Sequence, residues 1–151
     1  MGFWNYNRYD IINQLIKKYK YETYLEIGVA NGETFNAVKC KIKDSVDPNC
    51  SFNVKYKMTS DEFFKTIMPT LDYKYDIIFI DGLHEFHQIT KDVENSLKYL
   101  SENGTIVMHD CNPPEERVQI VPRISADYWT GDVWKTILKL RMENSNLNIM
   151  V

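Results

Sequence analysis

The sequence predicts an α/β fold: a doubly wound, mostly parallel sheet with helices on both faces. Three observations carry this. Tyr24-Leu25-Glu26-Ile27-Gly28 is a short apolar run that ends in an acid and a glycine, and a second glycine, Gly32, leads into a helix-like segment. That is the strand, tight loop and helix start with which open α/β sheets hold ligands. Tyr75-Asp76-Ile77-Ile78-Phe79-Ile80-Asp81-Gly82 has an apolar centre that does not alternate, which indicates burial on both faces and hence a central parallel strand. Between and after these two stretches, helical and extended patterns take turns, as crossover connections require.

Composition bounds the rest. The chain has 151 residues, enough for one domain that buries roughly two-thirds of its unfolded surface. Hydrophobic content of 44% and charged content of 26% are those of a globular protein. Net charge is −3 and no dense basic face is visible. The phosphate-neutralising patch that nucleic-acid binding needs is missing. Lys39, Lys41 and Lys43 alternate and read as a solvated strand edge. The longest apolar run, 77–80, is far too short to span a membrane, and the first residues lack a signal-peptide pattern. Cys40, Cys50 and Cys111 have no paired spacing, so reduced thiols and a cytoplasmic location are expected, and a zinc site is not.

Taken in order, residues 1–8 read as an arm lying on the domain. Ile11, Ile12, Leu15, Ile16 and Tyr19 recur at helical spacing, predicting an amphipathic helix from Tyr9 to Lys20. A strand at about 23–28, the glycine loop and a short helix at about 33–39 follow. Lys41 to Asp47 is a second strand stopped by Asp47-Pro48-Asn49. Asn53 to Met58 alternates weakly, as an edge strand. Thr59-Ser60-Asp61-Glu62 supplies a helix cap and a negative first turn. After the central strand comes a helix over about 86–100, with Asp92 expected on its solvent side and Asn103-Gly104 closing it. Thr105 to His109 is the next strand. Residues 112–130 have no period, carry Tyr128 and Trp129, and are expected to form a lid. A helix over 132–142 and a last short strand over 147–151 end the chain, read as one domain over 1–151.

Candidate site residues come from chemistry at strand ends. A dinucleotide fingerprint would place glycines at 28, 30 and 33, but Ala30 and Glu33 stand there. The methyl crowds a pyrophosphate and the carboxylate repels it. With Glu26 beneath, the loop suits a ligand that carries cationic groups and no phosphate. Asp47, about 20 residues beyond Gly28, sits where such sheets hold a ribose hydroxyl; it also suits a plain turn before Pro48. Asp81 and Asp110 each lie just past a strand end. On neighbouring strands their backbones would be ~4.8 Å apart, both facing the ligand crevice. All three histidines, His84, His87 and His109, stand beside them. Two carboxylates with a third donor would hold a hard divalent cation such as magnesium.

The order Glu26-x-Gly28-x-x-x-Gly32-x-Thr34-Phe35 resembles the first motif of class I S-adenosylmethionine-dependent methyltransferases, whose cofactor carries a sulfonium and an ammonium. Asp81-Gly82-Leu83-His84 with Asp92 on the next helix, the block from His109 to Pro114, and Gly131-Asp132-Val133-Trp134-Lys135 resemble the subgroup with an Asp-Gly-x-His motif. That subgroup includes sugar O-methyltransferases. The likeness spans about residues 9–151. It implies a Rossmann-like fold with S-adenosylmethionine held by Glu26, Gly28, Val29, Ala30, Gly32, Thr34, Asp47, Pro48, Thr59, Ser60, Asp61 and Asp81. It further implies magnesium on Asp81 and Asp110, and His84 as the base that takes the hydroxyl proton of a sugar or glycan acceptor. His109 stands where such enzymes often carry the first of two acids, and is a third candidate metal ligand. Family members close the sheet with a hairpin of two strands. Only one is expected here, so the edge at 146–151 is expected to seek a partner, as in a homodimer.

Two other readings stay open: a module that binds S-adenosylmethionine without catalysis, and an NAD-binding oxidoreductase, which Ala30 and Glu33 disfavour. Thr59, Ser60 and Asp61 are explained equally well as a helix cap; for His84 the alternative to the base is a cap on the helix after Gly82.

Overall fold

The computed structural model describes residues 7–124 and 126–151; most of the expected N-terminal arm lies outside them. The strands are β1 (Thr23–Ile27), β2 (Ile42–Val46), β3 (Tyr75–Ile80) and β4 (Leu100–Met108). The helices are α1 (Arg8–Tyr19), α2 (Glu33–Ala37), α3 (Ser60–Thr66), α4 (Phe86–Tyr99) and α5 (Trp134–Glu143). All strand pairs are parallel, in the order β2-β1-β3-β4. This is the predicted α/β class, with the sheet left unclosed.

Burial explains why β3 does not alternate. Ile78 and Ile80 join Leu25, Ile27, Phe63, Ile89 and Leu140 in one cluster, beneath α3, α4 and α5. Ile77 and Phe79 face the other way and pack with Tyr24, Ile12, Ile16 and Val38 under α1. Both faces are apolar because both are covered, and each such side chain contributes roughly 1.5–3 kcal/mol of transfer free energy.

The register brings the strand ends together. Ile27 pairs with both Val46 and Ile80, and Ile80 with Met108. Residues 28, 47, 81 and 109 therefore emerge along one edge. The chain turns to β2 on one side of β1 and to β3 on the other, so that edge is a switch point where ligands bind in open sheets.

Four expectations fail. Residues 147–151 form no strand. Instead Leu147 and Ile149 lie half-buried on the core cluster, and Arg141 donates to the Ile149 carbonyl. Burying two apolar side chains against α5 outcompetes an isolated edge pairing, and the expected dimer contact loses the strand it needed. Residues 53–58 make one bridge, Val46 to Tyr56, and no strand. Asn103 and Gly104 do not close α4: the chain passes straight into β4 at Leu100, and 101–104 are absorbed where the β3–β4 register shifts. Asp92 does not face solvent. It is 1% exposed, because Ser60 Oγ and Gln88 Nε2 donate to its Oδ1 at 2.6 and 3.1 Å.

Candidate functional site

The glycine loop is built by close packing. Gly28 has φ of +83°, and a Cβ there would fall 2.2 Å from the Asp81 carbonyl oxygen. At Gly32, φ is +79° and the Cβ would strike the Phe52 ring. The sequence suggested glycines freed for a ligand's approach; what approaches is the loop after β3 and an aromatic ring. Only glycine tolerates both the angle and the contact. Asp47 secures the same loop: its Oδ2 accepts from the Val29 and Ala30 amides at 2.8 and 3.3 Å, and its Oδ1 from Asn49 N at 2.8 Å. Pro48 is exposed, while Val29 and Thr34 are buried.

Glu26 points away from solvent, 1% exposed. Burial raises its pKa to about 7, against the opposing effect of the bond from the Tyr24 hydroxyl. The negative charge expected under the loop is therefore partly neutralised near neutral pH. Thr59, Ser60 and Asp61 each have an internal partner. Thr59 Oγ1 caps α3 by accepting from Glu62 N at 3.2 Å. Ser60 is buried against Asp92, and Asp61 accepts from Gln88 Nε2 at 3.1 Å.

The strand-end acids meet. His84 lies between them, Nε2 3.3 Å from Asp81 Oδ1 and Nδ1 3.3 Å from Asp110 Oδ2. Nδ1 is also 3.2 Å from the Trp129 carbonyl, and the Trp129 ring stacks on the imidazole with centroids 5.6 Å apart. His109 Nδ1 lies 3.3 Å from Asp81 Oδ1 and 3.2 Å from Asp110 Oδ1. It points along the hydrogen-bonding direction of neither, so its attraction is ionic. Arg8 Nη1, from the first turn of α1, reaches Asp81 Oδ2 at 2.7 Å. His87 is exposed on α4.

These neighbours settle the charges. Burial by itself would raise Asp81, but the His109 and His84 contacts and the Arg8 charge outweigh it and hold the acid at about 2. The contacts with Asp110 and Asp81 push His109 up to about 9 against the pull of burial. Burial lowers His84, yet the contact with Asp81 and the charge of Asp110 win and its pKa is raised. Both ring nitrogens of His84 face oxygens, the arrangement an imidazolium prefers.

Asp81, His84 and Asp110 can each offer a donor atom within 4.8 Å of the others. Among the described residues His109 is not in that set; it stands beside it as a cation. The 3.2–3.3 Å spacings exceed the ~2.7–2.9 Å of good charge-assisted bonds. A cation held here could take only one of the two His84 nitrogens, together with one oxygen from each acid.

A family profile described as a methyltransferase domain matches residues 25–111, which takes in the glycine loop, Asp47, the three residues before and in α3, and the strand-end cluster. The chain belongs to that family. An uncharacterized protein of Acanthamoeba polyphaga mimivirus is 29% identical over 136 residues, covering 72% of this chain and 62% of that protein. The chain thus spans less than two-thirds of that relative's length. An O-methyltransferase from Bacillus cereus, crystallised in complex with SAH, superposes with a TM-score of 0.67 at 12% identity, covering 91% of this chain and 70% of that one. At that identity the likeness is one of fold.

Within this methyltransferase domain, several contacts lay beyond sequence reasoning. Arg8, the last residue of the expected arm, stands 73 positions from the acid it pairs with. Tyr128 and Trp129 were legible as lid aromatics, but not that the Tyr128 hydroxyl donates to Asp110 Oδ1 at 3.2 Å. Asp132 accepts from Phe86 N at 2.6 Å, capping α4 from 46 residues away where Glu85 makes no side-chain cap. Asp132, and not His84, thus caps α4, so the alternative reading of His84 as a cap is set aside.

Proposed function

We propose that this single methyltransferase domain is a class I, S-adenosylmethionine-dependent O-methyltransferase acting on a hydroxyl of a small acceptor, of the sugar or glycan class. The observation that carries the reading is the meeting of Asp81, His84 and Asp110 at adjacent strand ends, beside a glycine loop whose neighbouring acids favour a cationic ligand. The chemistry of that edge fits the cofactor: carboxylates at 33, 47 and 81 and backbone amides at 29 and 30, with the Arg8 and His109 charges turned to Asp81. Asp47 would exchange a loop amide for a ribose hydroxyl. The loop after β3, held against Gly28, and the start of α3 would flank the base, through Thr59, Ser60 and Asp61.

S-adenosylmethionine supplies an electrophilic methyl on its sulfonium. The chain must orient an acceptor oxygen in line with it and remove the proton. In its neutral form His84 would take that proton, and Asp81 and Asp110 would stabilise the imidazolium that forms. Trp129 holds the ring in plane by stacking. The same two carboxylates with His84 would hold a divalent cation, which would lower the pKa of a bound hydroxyl. The two roles of His84 exclude each other, so the metal and the base are separable by experiment.

The test is calorimetric titration with S-adenosylhomocysteine, followed by a labelled-methyl screen of glycosides against catechol, with and without EDTA. Micromolar binding and transfer to a glycoside are expected. No binding of S-adenosylhomocysteine ends the reading. Transfer to catechol alone ends the sugar assignment, and full turnover in EDTA ends the metal. Loss of turnover in His84→Gln with cofactor binding intact supports the base.

A further inference from the structure

Beside the acid cluster, on the α1 side of the sheet, is an open cavity of ≈ 300 Å³ lined by Asn7, Arg8, Tyr9, Glu33 and His109. The geometry points to this cavity as the acceptor pocket, built for a neutral, polyhydroxylated ring, with Arg8 and Glu33 as the residues that select it. The inference rests on the methyltransferase reading above and extends it from the cofactor edge, which Glu33 borders, to Asn7, Arg8 and Tyr9, which that reading leaves without a role.

Position comes first. Arg8 and His109 both touch Asp81, at 2.7 and 3.3 Å, so a ligand in the cavity reaches the strand end where His84 and Asp110 also stand. The opposite wall is Glu33, first residue of α2 and next after the glycine loop. The cavity therefore spans the gap between the loop assigned to the methyl donor and the histidines and acids assigned to the proton.

The lining decides the ligand's chemistry. Every lining residue carries a hydrogen-bonding group: a guanidinium fork, a carboxylate, an amide, a phenol and an imidazole. Tyr9 adds the face of an aromatic ring, and its hydroxyl is fixed by the Asn7 amide at 2.7 Å. Vicinal hydroxyls, each both donor and acceptor, match such a mixed wall. An anionic ligand matches it less well, because the Glu33 carboxylate lines the space and the Arg8 and His109 charges are already engaged by Asp81 and Asp110. A planar aromatic ligand would find little apolar surface to cover it, against the mostly apolar lining that such sites use. The volume is at the small end of ligand cavities, room for a ring of monosaccharide size.

The test is a heteronuclear NMR titration of the whole chain, with and without saturating S-adenosylhomocysteine. The probes are methyl α-D-glucopyranoside and methyl α-L-rhamnopyranoside, with catechol as the planar comparison. Saturable shifts of the Arg8 Nε–H and of the Tyr9, Glu33 and His109 amides by a glycoside are expected. The apparent Kd should be weakened at least about fivefold in Arg8→Gln and in Glu33→Gln. Dispersed spectra of the variants establish that they are folded. Absence of saturable shifts with both glycosides, tighter binding of catechol, or unchanged affinity in both variants overturns the inference. Failure of S-adenosylhomocysteine to move the Val29 and Asp47 amides would instead overturn the cofactor reading, and it is read from separate resonances.

Discussion

Two acids in this chain, one buried and one half-buried, are surrounded by partners and built for opposite ends. Asp44, in the middle of β2, is fully buried. It accepts from Lys55 Nζ and from the Tyr73 and Tyr75 hydroxyls, each at 2.6 Å. Asp81, at the end of β3, has one short bond, to Arg8, and contacts of 3.3 Å with two histidines. Around Asp44 both carboxylate oxygens are met by short bonds, and two of the three donors are neutral phenols. Burial holds the Tyr73 hydroxyl up at about 12 and raises Tyr75 further, so neither gives up its proton. That cluster has nothing left to offer a ligand; it fastens the 55 and 73–75 segments to the sheet. Around Asp81 the partners are titratable and loosely aimed, and the acid sits on the crevice. Spare coordinating capacity, more than burial or charge, separates a functional acid from a structural one here.

Substitutions should pull the two apart. Asp81→Asn is expected to lower methyl transfer about 10³-fold, ~4 kcal/mol in activation free energy, with a stability loss no larger than the roughly 2.5 kcal/mol that its lowered pKa represents. A variant that transfers methyl normally would make Asp81 as structural as Asp44. Asp44→Ala should do the reverse. It strands the buried Tyr75 hydroxyl and the half-buried Tyr73 hydroxyl, costing about 3 kcal/mol, or roughly 6–12 °C in melting temperature for a chain of this size. Turnover per folded molecule should stay within about twofold, so a collapse of turnover without melting loss would erase the distinction.

Asp92 is the intermediate case, buried by 1% exposure but with a pKa raised to about 6, mainly by burial. Because the folded state keeps this proton better than the unfolded chain does, ionisation on unfolding costs stability as pH rises from about 4 to 6. Relative to Asp92→Asn, wild type should lose about 2 kcal/mol across that window, measured by urea unfolding at each pH. Parallel stability curves for the two proteins would refute the shift. The smallest effect is expected at Trp129, whose ring stacks on His84. Trp129→Ala should reduce turnover about tenfold while leaving S-adenosylhomocysteine affinity unchanged; an equal loss in both would make the residue a general support of the lid.

Much of this was legible in one dimension. The unbroken run 77–80 announced a strand covered on both faces, and the wheel of Ile12 and Ile16 announced α1. Asp81 and Asp110 pair on the sequence alone, since both follow apolar runs and parallel strands end together. The tail 147–151 was misread for want of a neighbour: its alternation is the same whether it pairs with an edge or lies on α5. Asp92 misled in the same way, as a charge on a helix gives no sign that Ser60 and Gln88 will meet it.

Local sequence, then, determined the elements of this protein and the face each one buries, because hydrophobic period and turn chemistry act over a few residues. Only the tertiary structure decided the partners of its charges. Arg8 reaches Asp81 across 73 positions, Asp132 caps a helix 46 residues upstream, and Gly28 is shaped by the backbone of Asp81. Those contacts depend on how strand ends register along one edge of the sheet. That register is set by the packing of the whole core and by no single stretch of the chain.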